Sequence, residues 1–132
     1  MKKVLVRVKA FLIICKCKCQ LSQLSKFIGT DFSKITPKRA LKLYNLVYQL
    51  YWVPFKTEVE PTEDGCQGSF LLLEDLLYYL PDLLTFDQNE DYNSAVDRLN
   101  NGWFTDTVKD LIPYYIHDLK YSLRKYNYET EE

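Results

Sequence analysis

The stretch Ser69–Phe86, SFLLLEDLLYYLPDLLTF, is the most apolar run of its length in the chain and lies near its middle. On a helix, positions 71, 74, 75, 78 and 82 share one face, because spacings of three, four and seven return to the same side. That face carries Leu71, Glu74, Asp75, Tyr78 and Asp82; the remaining surface is leucine, phenylalanine and tyrosine. So wide an apolar arc predicts a core helix touched on most sides. Ser69 is placed to cap its N-terminus. Pro81 lacks an N–H and crowds the preceding turn, which predicts a helix over 69–79 and a short second turn after a break. Glu74, Asp75 and Asp82 interrupt the run, which is too short to span a membrane.

A chain of 132 residues, 47% hydrophobic and 27% charged, predicts one globular domain over 1–132. The net charge of −1 hides a segregation. Residues 1–57 hold twelve Lys/Arg against one acid, Asp31, a balance of +11. Residues 58–97 hold eleven Asp/Glu and no Lys/Arg, a balance of −11. Such blocks either neutralise each other within the fold or across a homodimer, or form separate faces for charged partners. Cys15, Cys17 and Cys19 are too closely spaced to pair easily with one another, and Cys66 stands alone, so no disulfide framework is expected. The N-terminus resembles a signal peptide, but Arg7 and Lys9 break its apolar region and no small-residue cleavage site follows. The expectation is a reduced, cytoplasmic protein.

Residues 2–20 contain no Gly, Pro, Asn or Asp. Val4, Val6 and Val8 alternate with Leu5, Arg7 and Lys9, and the three cysteines alternate with Lys16 and Lys18. Period two and β-branching favour a strand over 3–9. A helix is the alternative, with Val4, Val8, Leu12, Cys15 and Cys19 in line, and the choice stays open for 10–20. The expected strand partner is Phe55–Glu60, which would bring Arg7 and Lys9 near Glu58 and Glu60. Further helices are expected over 22–28 ending at Gly29, over 37–51 after Thr36-Pro37 and ending before Pro54, over 92–101 before Gly102, and from Thr105 or Thr107 onward. In the last, Val108, Leu111, Ile112, Tyr115, Ile116, Leu119, Leu123 and Tyr126 form one stripe. The fold class expected is therefore α+β, mostly α: about five helices around 69–86, with an N-terminal strand or small two-stranded sheet.

No catalytic, metal or cofactor motif stands out, so an enzyme is not expected and no cofactor is implied. The CKCKC thiolates suit a soft metal, but on a strand the outer two lie roughly 13 Å apart, too far to share one ion. Gly65–Ser69 leads into a helix N-terminus that could hold a phosphate, yet Glu63 and Asp64 would repel it. His117, beside Asp118, falls off its helix's apolar stripe and reads as exposed. Leu24–Ile35 has the spacing of a helix-turn-helix unit around Gly29, with Ser25, Leu24, Ile28 and Ile35 in the expected places. The surrounding positive charge suits a phosphate backbone. Against it, Thr30 follows the glycine and Pro37 interrupts the second helix.

The aromatics exceed what a small core holds, and Tyr and Trp favour interfaces. The leading expectation is a non-enzymatic protein that binds a basic protein surface through tyrosines and acids: a small inhibitor, immunity or anti-defence protein. Its partner-binding residues would be Glu74, Asp75, Tyr78, Asp82, Asp87, Glu90 and Asp91. The alternative is a DNA-binding regulator using residues 24–42. No membrane partner is expected.

Overall fold

The computed structural model describes residues 2–56, 67–85 and 90–125, with side chains over 8–52, 68–85 and 90–121. The elements are α1 (Lys2–Ser25), α2 (Pro37–Lys56), α3 (Gln67–Leu83), α4 (Glu90–Arg98) and α5 (Phe104–Lys125), with a turn at Leu99–Trp103 between the last two. No strand occurs among the described residues, so the fold is all-α there and the expected α+β class is overturned.

The N-terminal stretch decides this. Ala10, Ile14, Cys17, Leu21 and Leu24 are buried, at successive spacings of four, three, four and three. This stripe packs α1 against α5 and α2. It runs across the boundary that separated an expected strand from a short helix at 22–28. The alternating valines and cysteines satisfy a helix equally well, and burial against α5 settles the choice. The face is also not the one the helical alternative lined up: Val8, Leu12, Cys15 and Cys19 all point outward. After α1 the chain turns through Gly29, whose φ of 86° lies in the left-handed region that glycine adopts without strain.

Residues 30–36 form a loop pinned to the start of α5. The Phe32 N–H donates to Asn100 Oδ1 (2.8 Å) and the Gly29 N–H to Thr105 Oγ1 (3.2 Å). The Phe32 ring sits edge-on to Phe104, centroids 5.0 Å apart. A recognition helix after Gly29 therefore does not form: α2 begins only at Pro37, and Leu24 and Ile35 are core residues. The helix-turn-helix geometry at 24–42 is absent. Thr36 caps α2, its Oγ1 accepting from the Arg39 N–H at 3.2 Å.

Two prolines expected to end helices do not. α2 continues through Pro54 to Lys56. The Leu50 carbonyl, which would have accepted from an N–H at position 54, accepts instead from the Tyr115 hydroxyl at 2.7 Å. The expected strand at 55–60 is thus overturned at 55–56, and 57–60 lie outside the described residues. α3 continues through Pro81, which is exposed and lies in the last turn of the helix. Beyond it the Leu84 N–H donates to the Pro81 carbonyl at 3.1 Å.

α3 is the core helix its composition suggested. Leu73, Leu76, Leu80 and Leu83 are wholly buried, and the helix packs against α2, α4 and α5. Across from it α5 buries Val108, Leu111, Tyr115 and Leu119, and it also touches α1 and α2. Truncating one such leucine to alanine costs about 2–5 kcal/mol.

Candidate protein-binding face

Burying the leucine arc of α3 turns its polar stripe outward. Glu74, Asp75 and Tyr78 are exposed, Tyr78 at 74%; Asp82 is half-buried. Glu90 and Asp91 open α4 and are exposed; carboxylates in the first turn suit the positive end of that helix. Asp87 lies outside the described residues. No salt bridge joins any of the other five acids to a lysine or arginine among the described residues.

Three residues that sequence spacing did not bring to this face complete it. Gly102, with φ of 82°, lets the chain kink between α4 and α5, and Trp103 and Arg98 on either side of the kink lie beside α3. The Arg98 guanidinium lies 4.9 Å from the Trp103 ring centre and 5.7 Å from that of Tyr79. Tyr79 stacks edge-on with Trp103 at 5.4 Å and with Tyr78 at 5.0 Å. Glu74, Asp75, Tyr78, Tyr79, Arg98 and Trp103 together line a concavity of about 510 Å³. The signal that could have found Arg98 and Trp103 is Gly102 itself, the glycine between the helix expected over 92–101 and the one expected from Thr105 or Thr107 onward.

The face continues onto α2. The Tyr51 hydroxyl approaches Glu74 Oε2 at 3.5 Å. Burial, then the Glu74 charge, raises the Tyr51 pKa, so the phenol stays neutral and available as a donor. Tyr51 meets Trp52 edge-on at 5.3 Å, and Tyr48 follows at 6.0 Å from Trp52. Aromatic rings from α2, α3 and the α4–α5 turn thus lie beside the carboxylates of α3.

Other candidates dissolve on inspection. The Asp118 carboxylate on α5 accepts from both the N–H (3.1 Å) and the hydroxyl (2.6 Å) of Ser69. Ser69 is therefore not the cap of α3; Asp118 takes that part from a neighbouring helix. A phosphate at this helix end would meet a carboxylate already in place. His117 Nδ1 lies 3.5 Å from Asp118 Oδ1, with its side chain 81% exposed. Serine, aspartate and histidine meet here, but the acid stands between the other two, so the order is not that of a nucleophile on an imidazole base oriented by a third group; Asp118 instead ties Ser69 at the start of α3 to α5. On α1, Cys17 is buried while Cys15 and Cys19 are exposed, which prevents the three thiols from sharing an ion. No cluster of three or more metal-ligating side chains occurs among the described residues. Nor is any described helix long and apolar enough to cross a membrane.

No protein-family model, curated protein or solved structure matches the chain.

Proposed function

We propose that the protein is a non-enzymatic binding protein that engages a basic protein surface through the α3 face. The observation that carries this reading is the exposed Tyr78 set between Glu74 and Asp75, carboxylates with no lysine or arginine paired to them among the described residues. Unpaired acids steer a cationic partner, and rigid aromatic rings supply contact area at low entropic cost. Tyr79, Arg98 and Trp103 give the face a hollow into which one partner side chain fits. An inhibitor, immunity or anti-defence protein that occludes a cationic cleft is the concrete form of this activity. Exposed Cys15 and Cys19 thiols support a reducing, cytoplasmic setting.

The test is paired capture from the source cells, using wild type and the double variant Glu74→Lys/Asp75→Lys as baits. A partner retained by wild type should be lost by the variant. Its capture should also weaken steeply as salt rises toward about 0.5 M, because exposed charges are screened beyond a few ångströms there. Both substitutions are at exposed sites, so circular dichroism should show an unchanged fold. A partner held equally by both baits would sink the reading.

A further inference from the structure

On the other side of α2, where it meets α1, lies a groove of about 520 Å³ that shares no residue with the α3 face. Lys16, Lys38 and Lys42 converge on it with no acid in the lining. None of the three lysines has an ion-pair partner among the described residues. The amides of Gln20, Gln23, Asn45 and Gln49 line the rest, over apolar surface from Leu41 and Leu46.

Gln20 lies in the wall of this groove. It is only 7% exposed. Its Nε2 donates to Gln49 Oε1 at 2.6 Å, while its buried Oε1 has no partner. Exchanging oxygen and nitrogen in both amides moves the problem without removing it: the bond between the glutamines still uses one atom of the Gln20 amide and orphans the other. Buried polar atoms are nearly always satisfied, and an exception calls for an explanation.

We propose that the α1–α2 groove binds a nucleotide, its phosphates on Lys16, Lys38 and Lys42 and its base or ribose against the Gln23, Asn45 and Gln49 amides. Three uncompensated lysines select a multiply charged anion, and phosphate fits them better than a single carboxylate. Side-chain amides both donate and accept, which is what the edge of a base requires. Leu41 and Leu46 offer the apolar surface on which a base lies flat. The proposal is independent of the α3 reading, and either can fail alone.

The test is a titration of the isotope-labelled full chain with ATP, with inorganic tripolyphosphate and with a single-stranded RNA decamer, followed by amide resonances of 16–23 and 38–49. ATP should shift these resonances and bind roughly tenfold more tightly than tripolyphosphate, because the base adds contacts. Lys38→Glu/Lys42→Glu should weaken ATP by about tenfold or more through lost attraction. Asn45→Ala removes an exposed amide from the groove and should lower ATP affinity toward that of tripolyphosphate while leaving tripolyphosphate binding and thermal stability unchanged. RNA binding with ATP silent would place the nucleotide within a strand and support the same chemistry. No response to either, or equal affinity for ATP and tripolyphosphate, would overturn the proposal.

Discussion

Tyr115 shows how one side chain lets a helix keep a proline. Its ring is wholly buried and packs against Phe70 at 5.5 Å. Its hydroxyl supplies the donor that Pro54 cannot give to Leu50. Tyr115→Phe leaves the shape intact and orphans a buried carbonyl, which costs about 1–3 kcal/mol. Adding Pro54→Ala restores a backbone N–H and should recover much of that loss, a coupling that urea denaturation of the four variants would measure. Equal, additive effects would show that the two groups do not serve the same carbonyl. The site also predicts a pH dependence. Burial raises the Tyr115 pKa well above the usual phenol value, and it raises that of Cys17, whose Sγ lies 3.9 Å from the hydroxyl. Both groups are held neutral in the fold, so their contribution is complete below the unfolded values of about 8.5 for Cys and 10 for Tyr. Above those values the unfolded chain releases the protons first and stability falls. Tyr115→Phe should lose less stability than wild type between about pH 9 and pH 11.

At the scale of elements, α1 carries the sharpest expectation because it has two apolar faces and buries only one. Leu21, 5% exposed, is in the core, whereas Leu12, at 59%, is in solvent. Leu21→Ala should cost about 2–5 kcal/mol and Leu12→Ala about 0.5 kcal/mol or less. A thiol reagent followed by peptide mapping should modify Cys15 and Cys19 promptly and Cys17 only on unfolding. If Cys17 reacts as fast as its neighbours, the register of α1 is wrong. This helix was hard to read from sequence for a physical reason. Val4, Val6 and Val8, and then three cysteines between lysines, have the period of a strand, whereas the buried face seen from residue 8 onward follows Ala10, Ile14, Cys17, Leu21 and Leu24. The absence of any turn residue over 2–20 was the better clue, since it fits one long helix more easily than a strand. The Val108, Leu111, Tyr115 and Leu119 stripe of α5 was legible because nothing competes with its helical period. The exposure of Glu74, Asp75 and Tyr78 followed from spacing alone, once the leucines of α3 were taken as core. Arg98 and Trp103 could not be placed on that face without the kink at Gly102, nor the lysine groove without α1 as a helix. The prolines misled where another part of the fold supplies the missing partner, or in the last turn of a helix.

For the whole molecule, the two charged blocks of the sequence are not two halves in space. The acid-free helices α1 and α2 carry the basic block, yet α2 packs on acidic α3 and α1 packs on α5. Opposite charges are thereby carried on adjacent helices. Lysines collect at the α1–α2 groove and acids on the α3 face, which leaves each surface its own sign for a ligand. Because α5 touches α1, α2 and α3 together, the described helices are expected to unfold as one cooperative unit. The tryptophans report on that unit from separate places, Trp52 on α2 and Trp103 at the α4–α5 turn. In single-tryptophan variants, Trp52→Phe and Trp103→Phe, the fluorescence transition in urea should coincide with the loss of helical circular dichroism for each probe. Leu111→Ala, at a wholly buried position of α5, should then shift both probes by the same amount, about 2–5 kcal/mol. A Trp52 signal that holds while the Trp103 signal moves would mean that α1 and α2 fold apart from the rest. In that event the groove between them, though not the α3 face, would outlast the loss of α5.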